Sequence, residues 1–259
     1  MFFSNIPHDF GFKDIRTMKI TDKQKLDEKL EFLDLLSNLK ITKSITNNSE
    51  NEKNIIEQSY DQLNNKITPV DKNSDLFSTI DDFIQNGKSL SHNHFGLELL
   101  EAFELERQGE DTKYKKDLGN KMLLWHGSRL TNYVGLLSQG LRIAPPEAPS
   151  TGYMFGKGVY FTDMIAKSST YCHHHLSGNI GLLMICEVAL GESNELVHAD
   201  YNASKLPHGK LSVKGCGATG PDDSTGTLIE GVTLPMGPGV ATGVQGSLQY
   251  NEYVVYNED

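Results

Sequence analysis

The first forty residues carry apolar side chains at helical spacing. Five leucines recur at steps of three or four, which places them on one face of a helix. They are Leu26, Leu30, Leu33, Leu36 and Leu39. Thr21 followed by Gln24 resembles a capping box, so we expect the helix to begin there. The polar residues 42–54 predict an exposed loop.

A second helix is predicted over Ser74–Asn86. Ser74 suits the N-cap, because its hydroxyl can accept a backbone N–H of the first turn. The apolar stripe consists of Phe77, Ile80 and Ile84. Gly87 follows the stripe, so we expect the helix to end there.

From about residue 90 the pattern changes to short apolar runs. Met122–Trp125 predicts a strand, and Ile180–Leu190 predicts a central strand. Leu97–Leu105 fits both a helix and a bulged strand. Thr131–Gln139 predicts a helix that ends at Gly140.

The last third of the chain is rich in Gly and Pro. Their density from Asp200 to Gly246 predicts long loops or strand edges, and the Pro-rich run 144–149 predicts a loop. Leu248–Tyr256 alternates between apolar and polar positions and predicts a final strand. Many short strands behind an all-helical segment predict an α+β domain.

Charge and cysteine content exclude several functions. The 259 residues include 24 Lys+Arg and 34 Asp+Glu, for a net charge of -10. This balance argues against a broad basic surface for DNA or RNA. The three cysteines, Cys172, Cys186 and Cys216, form no C-x-x-C pair, so a zinc finger or redox motif is not indicated. Sparse cysteines and no signal peptide favour a reducing intracellular compartment, and no apolar run is long enough for a membrane span.

Three motifs carry the candidate chemistry. They present a His, a Tyr and a Glu beside short apolar segments, with glycines where a flat ligand can approach the backbone. The motifs are Leu124-Trp125-His126-Gly127-Ser128-Arg129, Gly152-Tyr153-Met154-Phe155-Gly156-Lys157-Gly158-Val159-Tyr160-Phe161 and Tyr250-Asn251-Glu252-Tyr253. The Gly156-Lys157-Gly158 run satisfies neither the Rossmann nor the P-loop pattern.

This ordered set resembles the catalytic domain of the poly(ADP-ribose) polymerases. Residues 6–11 are similar to the regulatory helical region of the DNA-damage-dependent members, and residues 205–207 and 212–215 extend the resemblance. It implies an α+β fold of ADP-ribosyltransferase type, with mixed, mostly antiparallel sheets and few helices. A truncated helical regulatory segment is expected over residues 1–90 and the catalytic domain over 91–259.

The resemblance also implies that NAD is the substrate and assigns residues to its nicotinamide end. Gly127 would present its backbone N–H and C=O to the carboxamide, and Ser168 would donate its hydroxyl to the same group. Tyr160 and Tyr171 would stack on either side of the ring. Lys167 is expected in the same cleft.

Other residues are assigned to the rest of NAD. His126 would hydrogen-bond the adenosine ribose, and Ser128 belongs to the same binding segment. Gly135 and Arg142 match positions that contact the cofactor in the family, although close helix packing and an exposed surface site are their ordinary alternatives. A metal is not expected, because the adjacent His173, His174 and His175 diverge and predict a polar turn.

Glu252 is the candidate catalytic residue. It lies in an apolar strand, where an uncompensated carboxylate would be costly unless function required it. Nicotinamide leaves as a neutral molecule through an oxocarbenium-like transition state, so one carboxylate can suffice. In the family that the chain resembles, a Glu at this position accompanies chain elongation, so the resemblance of His126, Tyr160 and Glu252 implies polymer formation.

Three functions therefore remain open from sequence. They are a poly-ADP-ribosyltransferase, a mono-ADP-ribosyltransferase, and a non-catalytic NAD-binding or interaction module, if the regulatory segment and the last strand are truncated. The resemblance implies acceptor proteins, including the enzyme itself, and a nuclear location. Contact with DNA is expected only through domains absent from this chain, and no membrane partner is expected.

Overall fold

The computed structural model describes residues 20–22, nine positions between 25 and 43, and residues 55–88, 96–144, 153–222, 224 and 226–258. The chain divides into two compact units, Met1–Ser37 and Asn38–Asp259. The helices and strands named below all belong to the second unit.

The first unit contains the predicted leucine helix. Its described positions from Lys25 to Leu36 are helical, which confirms the predicted helix there. Lys43 is helical as well, so the loop predicted over 42–54 does not begin at residue 42. Asp22 Oδ1 accepts the backbone N–H of Lys25 at 2.9 Å, so the N-cap is Asp22 and not the predicted Thr21. Leu26 and Leu36 are exposed. Several predicted positions lie outside the described residues: Gln24, Leu30, Leu39, the segment 44–54 and the Pro-rich run 145–149.

Five helices of the second unit have both ends among the described residues. They are α1 Ile55–Gln62, α2 Asp75–Asn86, α3 Glu110–Lys113, α4 Tyr133–Gln139 and α5 Ile165–Ser168. Short 3₁₀ turns span Leu130–Asn132, Ser169–Cys172 and His174–Leu176. None of the described helices combines the length and apolar character that crossing a bilayer requires.

Helix α2 forms as its sequence predicts. Ser74 Oγ accepts the N–H of Phe77 at 3.2 Å, and Gly87 forms the C-cap with its N–H on Phe83 O. The buried ring of Phe83 stacks on Trp125, with centroids 4.6 Å apart. The helix therefore packs directly behind the strand that contains the first motif.

Thirteen strands are described in the second unit. They are β1 Asn65–Pro69, β2 Phe103–Arg107, β3 Lys121–Gly127, β4 Val159–Phe161, β5 Leu183–Ala189, β6 Ser193–Leu196, β7 Ser212–Gly215, β8 Gly217–Pro221, β9 Thr227–Ile229, β10 Val232–Leu234, β11 Gly239–Ala241, β12 Leu248–Tyr250 and β13 Glu252–Val255. Among described strands the sheet orders are β1-β2, β5-β3-β10-β9, β11-β8-β12 and β4-β13-β7-β6. The parallel pairs are β3/β10, β8/β12 and β6/β7, and the others are antiparallel. The predicted α+β class with mostly antiparallel sheets is confirmed.

Three sequence predictions need correction. Residues 183–189 do form a strand, but β5 lies at the edge of its sheet among the described strands, not at its centre. Its apolar side chains are covered by the packed clusters on either side of β3 instead. Leu97–Leu105 resolves into an irregular segment followed by β2. The predicted strand over Leu248–Tyr256 is two strands, β12 and β13, in different sheets.

The core lies on both faces of the strands that contain the motifs. On β3, Leu124 packs into one cluster with Phe161 and Tyr253, whereas Trp125 packs into another with Phe83. On β13, Tyr253 belongs to the first cluster and Val254 to a third. Strands packed on both faces hold their backbones rigidly, which suits them to position functional side chains.

Candidate active site

The end of β3 is in close contact with α5. A Cβ on Gly127 would lie 2.0 Å from the backbone carbonyl oxygen of Ser168, so only glycine fits at this position. Ser168 is buried, and its hydroxyl donates to Trp125 O at 3.1 Å. Gly127 and Ser168, which are predicted to hydrogen-bond the nicotinamide carboxamide, therefore lie side by side.

His126 precedes Gly127 on β3 and has a defined orientation. Its Nδ1 lies 2.9 Å from the carbonyl oxygen of Tyr160, so Nδ1 carries a proton and donates it. Burial lowers the pKa of His126 against the raising effect of that hydrogen bond. The neutral ring leaves Nε2 as an acceptor, which suits a ribose hydroxyl.

The two candidate stacking residues differ in how they are held. Tyr160, on β4, donates its hydroxyl to Gly156 O at 2.6 Å and accepts the N–H of Phe155 at 3.0 Å. Burial raises the pKa of its phenol, which stays neutral. Tyr171 lies in the 3₁₀ turn after α5, is 49% exposed, and has Lys167 Nζ 5.6 Å from its ring centroid.

Glu252 is buried, at 7% exposure, at the start of β13. The carboxylate is compensated, because Lys167 Nζ lies 2.8 Å from Glu252 Oε1, which lowers the cost of its burial. Burial works to lower the pKa of Lys167, but its hydrogen bond and charge interaction with Glu252 outweigh burial and raise it. Lys167 is therefore charged, and its contact holds the Glu252 side chain in one place.

Strand register brings the His, Tyr and Glu of the three motifs together. Tyr160 on β4 is paired with Val254 on β13, two residues after Glu252. Because alternate residues share a face of a strand, Tyr160 and Glu252 lie on the same face of this sheet. His126 joins them through its hydrogen bond to the backbone of Tyr160.

The remaining predicted contacts lie around α4. Asn132 Nδ2 donates to Ser128 Oγ at 2.9 Å, which ties the start of the binding segment to the helix. Gly135 lies within α4, and Arg142 is exposed and donates to Gln139 Oε1 at 2.8 Å. Among the described residues, no hydrogen bond or ion pair joins Gly135 or Arg142 to Gly127 or Glu252.

The three adjacent histidines form a polar turn. His173 adopts the left-handed conformation, with φ 48°, and the 3₁₀ turn His174–Leu176 follows. His174 Nδ1 lies 3.2 Å from Asn179 Oδ1. In the part of the chain that the structure describes, no three His, Cys, Asp or Glu side chains are grouped so that they could hold a metal.

Two family models match the chain. The model described as "Poly(ADP-ribose) polymerase catalytic domain" matches residues 74–259, and the one described as "Poly(ADP-ribose) polymerase, regulatory domain" matches residues 1–63. The chain belongs to the poly(ADP-ribose) polymerase family. The resemblance of the three motifs is thereby confirmed.

Several named relatives support this assignment. "Poly [ADP-ribose] polymerase 2-A" of Oryza sativa subsp. japonica is 47% identical over 263 residues, which cover 100% of this chain and 40% of the relative. "Poly [ADP-ribose] polymerase 2" of Homo sapiens is 44% identical, covering 99% of this chain and 44% of the relative. "Poly [ADP-ribose] polymerase 1" of Gallus gallus is 45% identical, covering 99% and 26%. The chain thus spans less than half the length of these poly(ADP-ribose) polymerases.

One buried group next to this poly(ADP-ribose) polymerase site was not predicted. Asp163 follows β4 and is 1% exposed; its Oδ2 accepts hydrogen bonds from Asn251 Nδ2 and the Tyr253 hydroxyl. A signal was present in the sequence, because Asp163 is a lone acid inside the apolar run 159–165. Its partners could not be read from that run, since they lie about ninety residues further along the chain.

Proposed function

We propose that this chain catalyses NAD-dependent poly-ADP-ribosylation. It cleaves the bond between nicotinamide and ribose and transfers ADP-ribose to protein side chains and to growing chains. The observation that carries the proposal is the buried Glu252, paired with Lys167 at 2.8 Å on the sheet face that also carries Tyr160. A buried carboxylate held beside a nucleotide-binding strand is what stabilisation of a developing positive charge requires.

The nicotinamide end of NAD binds beside the contact between the end of β3 and α5. Backbone groups of Gly127 bind the carboxamide, because its N–H and C=O match the acceptor and donor of an amide. Ser168 turns its hydroxyl from Trp125 O towards the same group. Tyr160 and Tyr171 stack on the ring, the first held by two hydrogen bonds and the second partly exposed at the entrance.

The rest of NAD extends away from this end. His126 accepts a hydroxyl of the adenosine ribose through Nε2, since Nδ1 is used by the carbonyl of Tyr160. Ser128 continues the binding segment. Gly135 and Arg142 contact the adenosine and phosphate portion, where the guanidinium complements negative charge.

Glu252 acts on both reaction partners. Its carboxylate accepts a hydrogen bond from the 2′-hydroxyl of the nicotinamide ribose and stabilises the charge that develops at C1′. The C1′–N bond breaks, and its electron pair leaves with neutral nicotinamide. An acceptor hydroxyl forms the new C1′–O bond, and its proton passes to Glu252.

The domain division and the cellular setting follow from the same proposal. Residues 1–90 form a partial regulatory segment, which is mainly helical but includes β1, and residues 91–259 form the catalytic domain. The partners are NAD and acceptor proteins, including the enzyme itself. DNA is contacted only through domains outside this chain, and the protein acts in the nucleus.

The test is incubation with labelled NAD, followed by sizing of the products on a denaturing gel. Wild type is compared with Glu252→Gln and with Glu192→Gln, an exposed carboxylate 3.5 Å from Lys210. We expect a high-molecular-weight smear for wild type and Glu192→Gln, and at least about 100-fold less label for Glu252→Gln. A single discrete band would indicate mono-ADP-ribosylation. No label with nicotinamide analogues still bound would indicate a binding module, and both results would overturn the proposal.

A further inference from the structure

The catalytic strand begins at a corner between two sheets. β12 belongs to the sheet β11-β8-β12 and β13 to the sheet β4-β13-β7-β6, and Asn251 is the single residue between them. Glu252 therefore occupies the first position after a change of direction. At such a position the backbone hydrogen bonds of the strand hold only the residues that follow. Other contacts must therefore set the direction of the Glu252 side chain.

Asp163 supplies these contacts. Its Oδ2 accepts Asn251 Nδ2 at 2.8 Å and the Tyr253 hydroxyl at 3.0 Å, so it binds the residues on both sides of Glu252. Because Asn251 and Tyr253 alternate with Glu252 along the strand, Asp163 lies behind the sheet, on the face opposite the catalytic carboxylate. Asn251 Oδ1 in turn accepts the N–H of Gly217 at 2.9 Å, at the matching corner between β7 and β8.

The same residue is tied to the nicotinamide-binding strand. Thr162, its neighbour, forms an isolated bridge with Trp125, with N–H···O distances of 2.8 and 3.0 Å in the two directions. Trp125 is followed on β3 by His126 and Gly127. Asp163 therefore stands at the junction between the strand that would hold NAD and the strand that holds Glu252.

The burial of Asp163 lowers the stability of the fold, so stability by itself does not explain an acid at this position. Asp163 is 1% exposed, and its Oδ1 has no hydrogen-bond partner among the residues that the structure describes. Burial raises the pKa of this carboxyl to about 6, against the lowering effect of the hydrogen bonds from Asn251 and Tyr253. A well-packed apolar side chain would avoid the cost of desolvation, so a role in fixing one specific geometry accounts better for an acid here.

We propose that Asp163 is a positioning residue for Glu252: by holding Asn251 and Tyr253 it directs the catalytic carboxylate towards the NAD-binding strand. The inference rests on the proposed function, because it takes Glu252 as the catalytic group. Asp163 itself touches neither substrate nor reacting atoms, since it lies on the opposite face of the sheet. It acts on turnover through the direction of the Glu252 side chain.

A charge-swap cycle tests the inference. Asn251→Asp removes the amide donor and places a carboxylate at the present 2.8 Å contact, while its second oxygen still accepts the Gly217 N–H. Assays and crystals are kept at about pH 9, where both carboxylates are ionised and repel each other instead of sharing a proton. The double variant Asp163→Asn with Asn251→Asp restores an amide–carboxylate pair, because the amide introduced at position 163 can donate to the carboxylate at position 251 and to the Tyr253 oxygen. Asp200→Asn, at an exposed aspartate in a turn, is the matched control.

We expect kcat to fall about 10- to 100-fold in Asn251→Asp and to recover to within about threefold of wild type in the double variant. KM for NAD and affinity for a nicotinamide analogue should stay within about threefold throughout, because the Gly127 and Ser168 contacts are intact. Equal losses in kcat and in analogue affinity, or no recovery of kcat in the double variant, would overturn the inference. Either result would mean that Asp163 supports the fold as a whole and does not orient Glu252.

A second readout does not depend on turnover. Crystal structures of wild type, Asn251→Asp and the double variant, each with a nicotinamide analogue, report the separation of Lys167 Nζ and Glu252 Oε1. We expect the contact to be lost in Asn251→Asp and restored in the double variant. An unchanged contact between Lys167 and Glu252 in Asn251→Asp would overturn the inference. A wild type that transferred no ADP-ribose would refute the proposed function, but it would leave this structural test of Asp163 valid.

Discussion

Lys167 Nζ lies 2.8 Å from Glu252 Oε1, and this ion pair joins α5 to the first residue of β13. The lysine side chain is 25% exposed and the glutamate side chain 9%, so the pair lies at the edge of the buried core. It supplies a positive partner for a carboxylate in an otherwise apolar strand. It also connects the turn that contains Ser168 to the candidate catalytic residue.

Removal of Lys167 tests the importance of this pair. We expect Lys167→Met to lower the free energy of unfolding by about 1–3 kcal/mol, because Glu252 would stay buried without its partner. We also expect kcat to fall, because the carboxylate would no longer be held in one place. Denaturant unfolding and NAD turnover measure the two effects. Lys210→Met, at an exposed pair with Glu192, is the control, and equal behaviour of the two variants would contradict the prediction.

The close contact at Gly127 predicts that alanine is harmful at this glycine but tolerated at Gly119. Gly127→Ala places a methyl group 2.0 Å from a backbone oxygen, so β3 and α5 must separate. We expect a loss of about 3 kcal/mol or more in stability, together with loss of nicotinamide-analogue binding. A Cβ on Gly119 has no neighbour within 4 Å, so Gly119→Ala should change neither. Thermal unfolding and calorimetric titration provide the measurements, and a tolerated Gly127→Ala would refute the close approach.

His126 predicts a pH dependence of stability. Its pKa is lowered in the folded state by burial, so the unfolded chain binds the proton more readily. The folded state favours the neutral ring, so folding loses nothing at pH values above the ordinary His pKa of about 6.5. Below that pH the unfolded chain takes up the proton first, and the free energy of unfolding falls. We expect His126→Gln to show a smaller loss of stability between pH 7 and pH 5 than wild type.

Denaturant unfolding at several pH values measures this difference. Asp163, whose pKa is raised to about 6, acts in the opposite direction, but it is present in both proteins and cancels in the comparison. The exposed His208 provides the control variant His208→Gln. Identical slopes for wild type and His126→Gln would show that the buried ring does not titrate as expected.

Substitution of Tyr160 by Phe distinguishes the role of its ring from the role of its hydroxyl group. Tyr160→Phe keeps the stacking surface but removes the donor to Gly156 O and the acceptor for the Phe155 N–H. We expect a loss of about 1–3 kcal/mol from the two unpaired backbone groups, with a smaller effect on analogue affinity. Tyr201→Phe, at a tyrosine that is 67% exposed, should be neutral. An affinity loss without a stability loss would mean that the hydroxyl contacts the ligand directly.

Local patterns predicted much of the secondary structure because their causes are local. Ser74 caps α2 through its own hydroxyl three residues from its partner, and the consecutive apolar residues 122–125 indicate a strand without reference to the rest of the chain. The same locality explains two errors. An apolar run does not reveal whether a strand is central, as with β5, and alternation across 248–256 does not reveal a corner at Asn251.

The sequence by itself determined the family, the class of fold and the identity of the His, Tyr and Glu of the candidate site. Each of these depends on residue types at short spacings within a motif. Only the tertiary structure decided what each group contacts: Glu252 with Lys167, His126 with the carbonyl of Tyr160, and Asp163 with the neighbours of Glu252. These contacts join distant segments, and charge pairing, tautomer and burial depend on which groups the sheets bring within hydrogen-bonding distance.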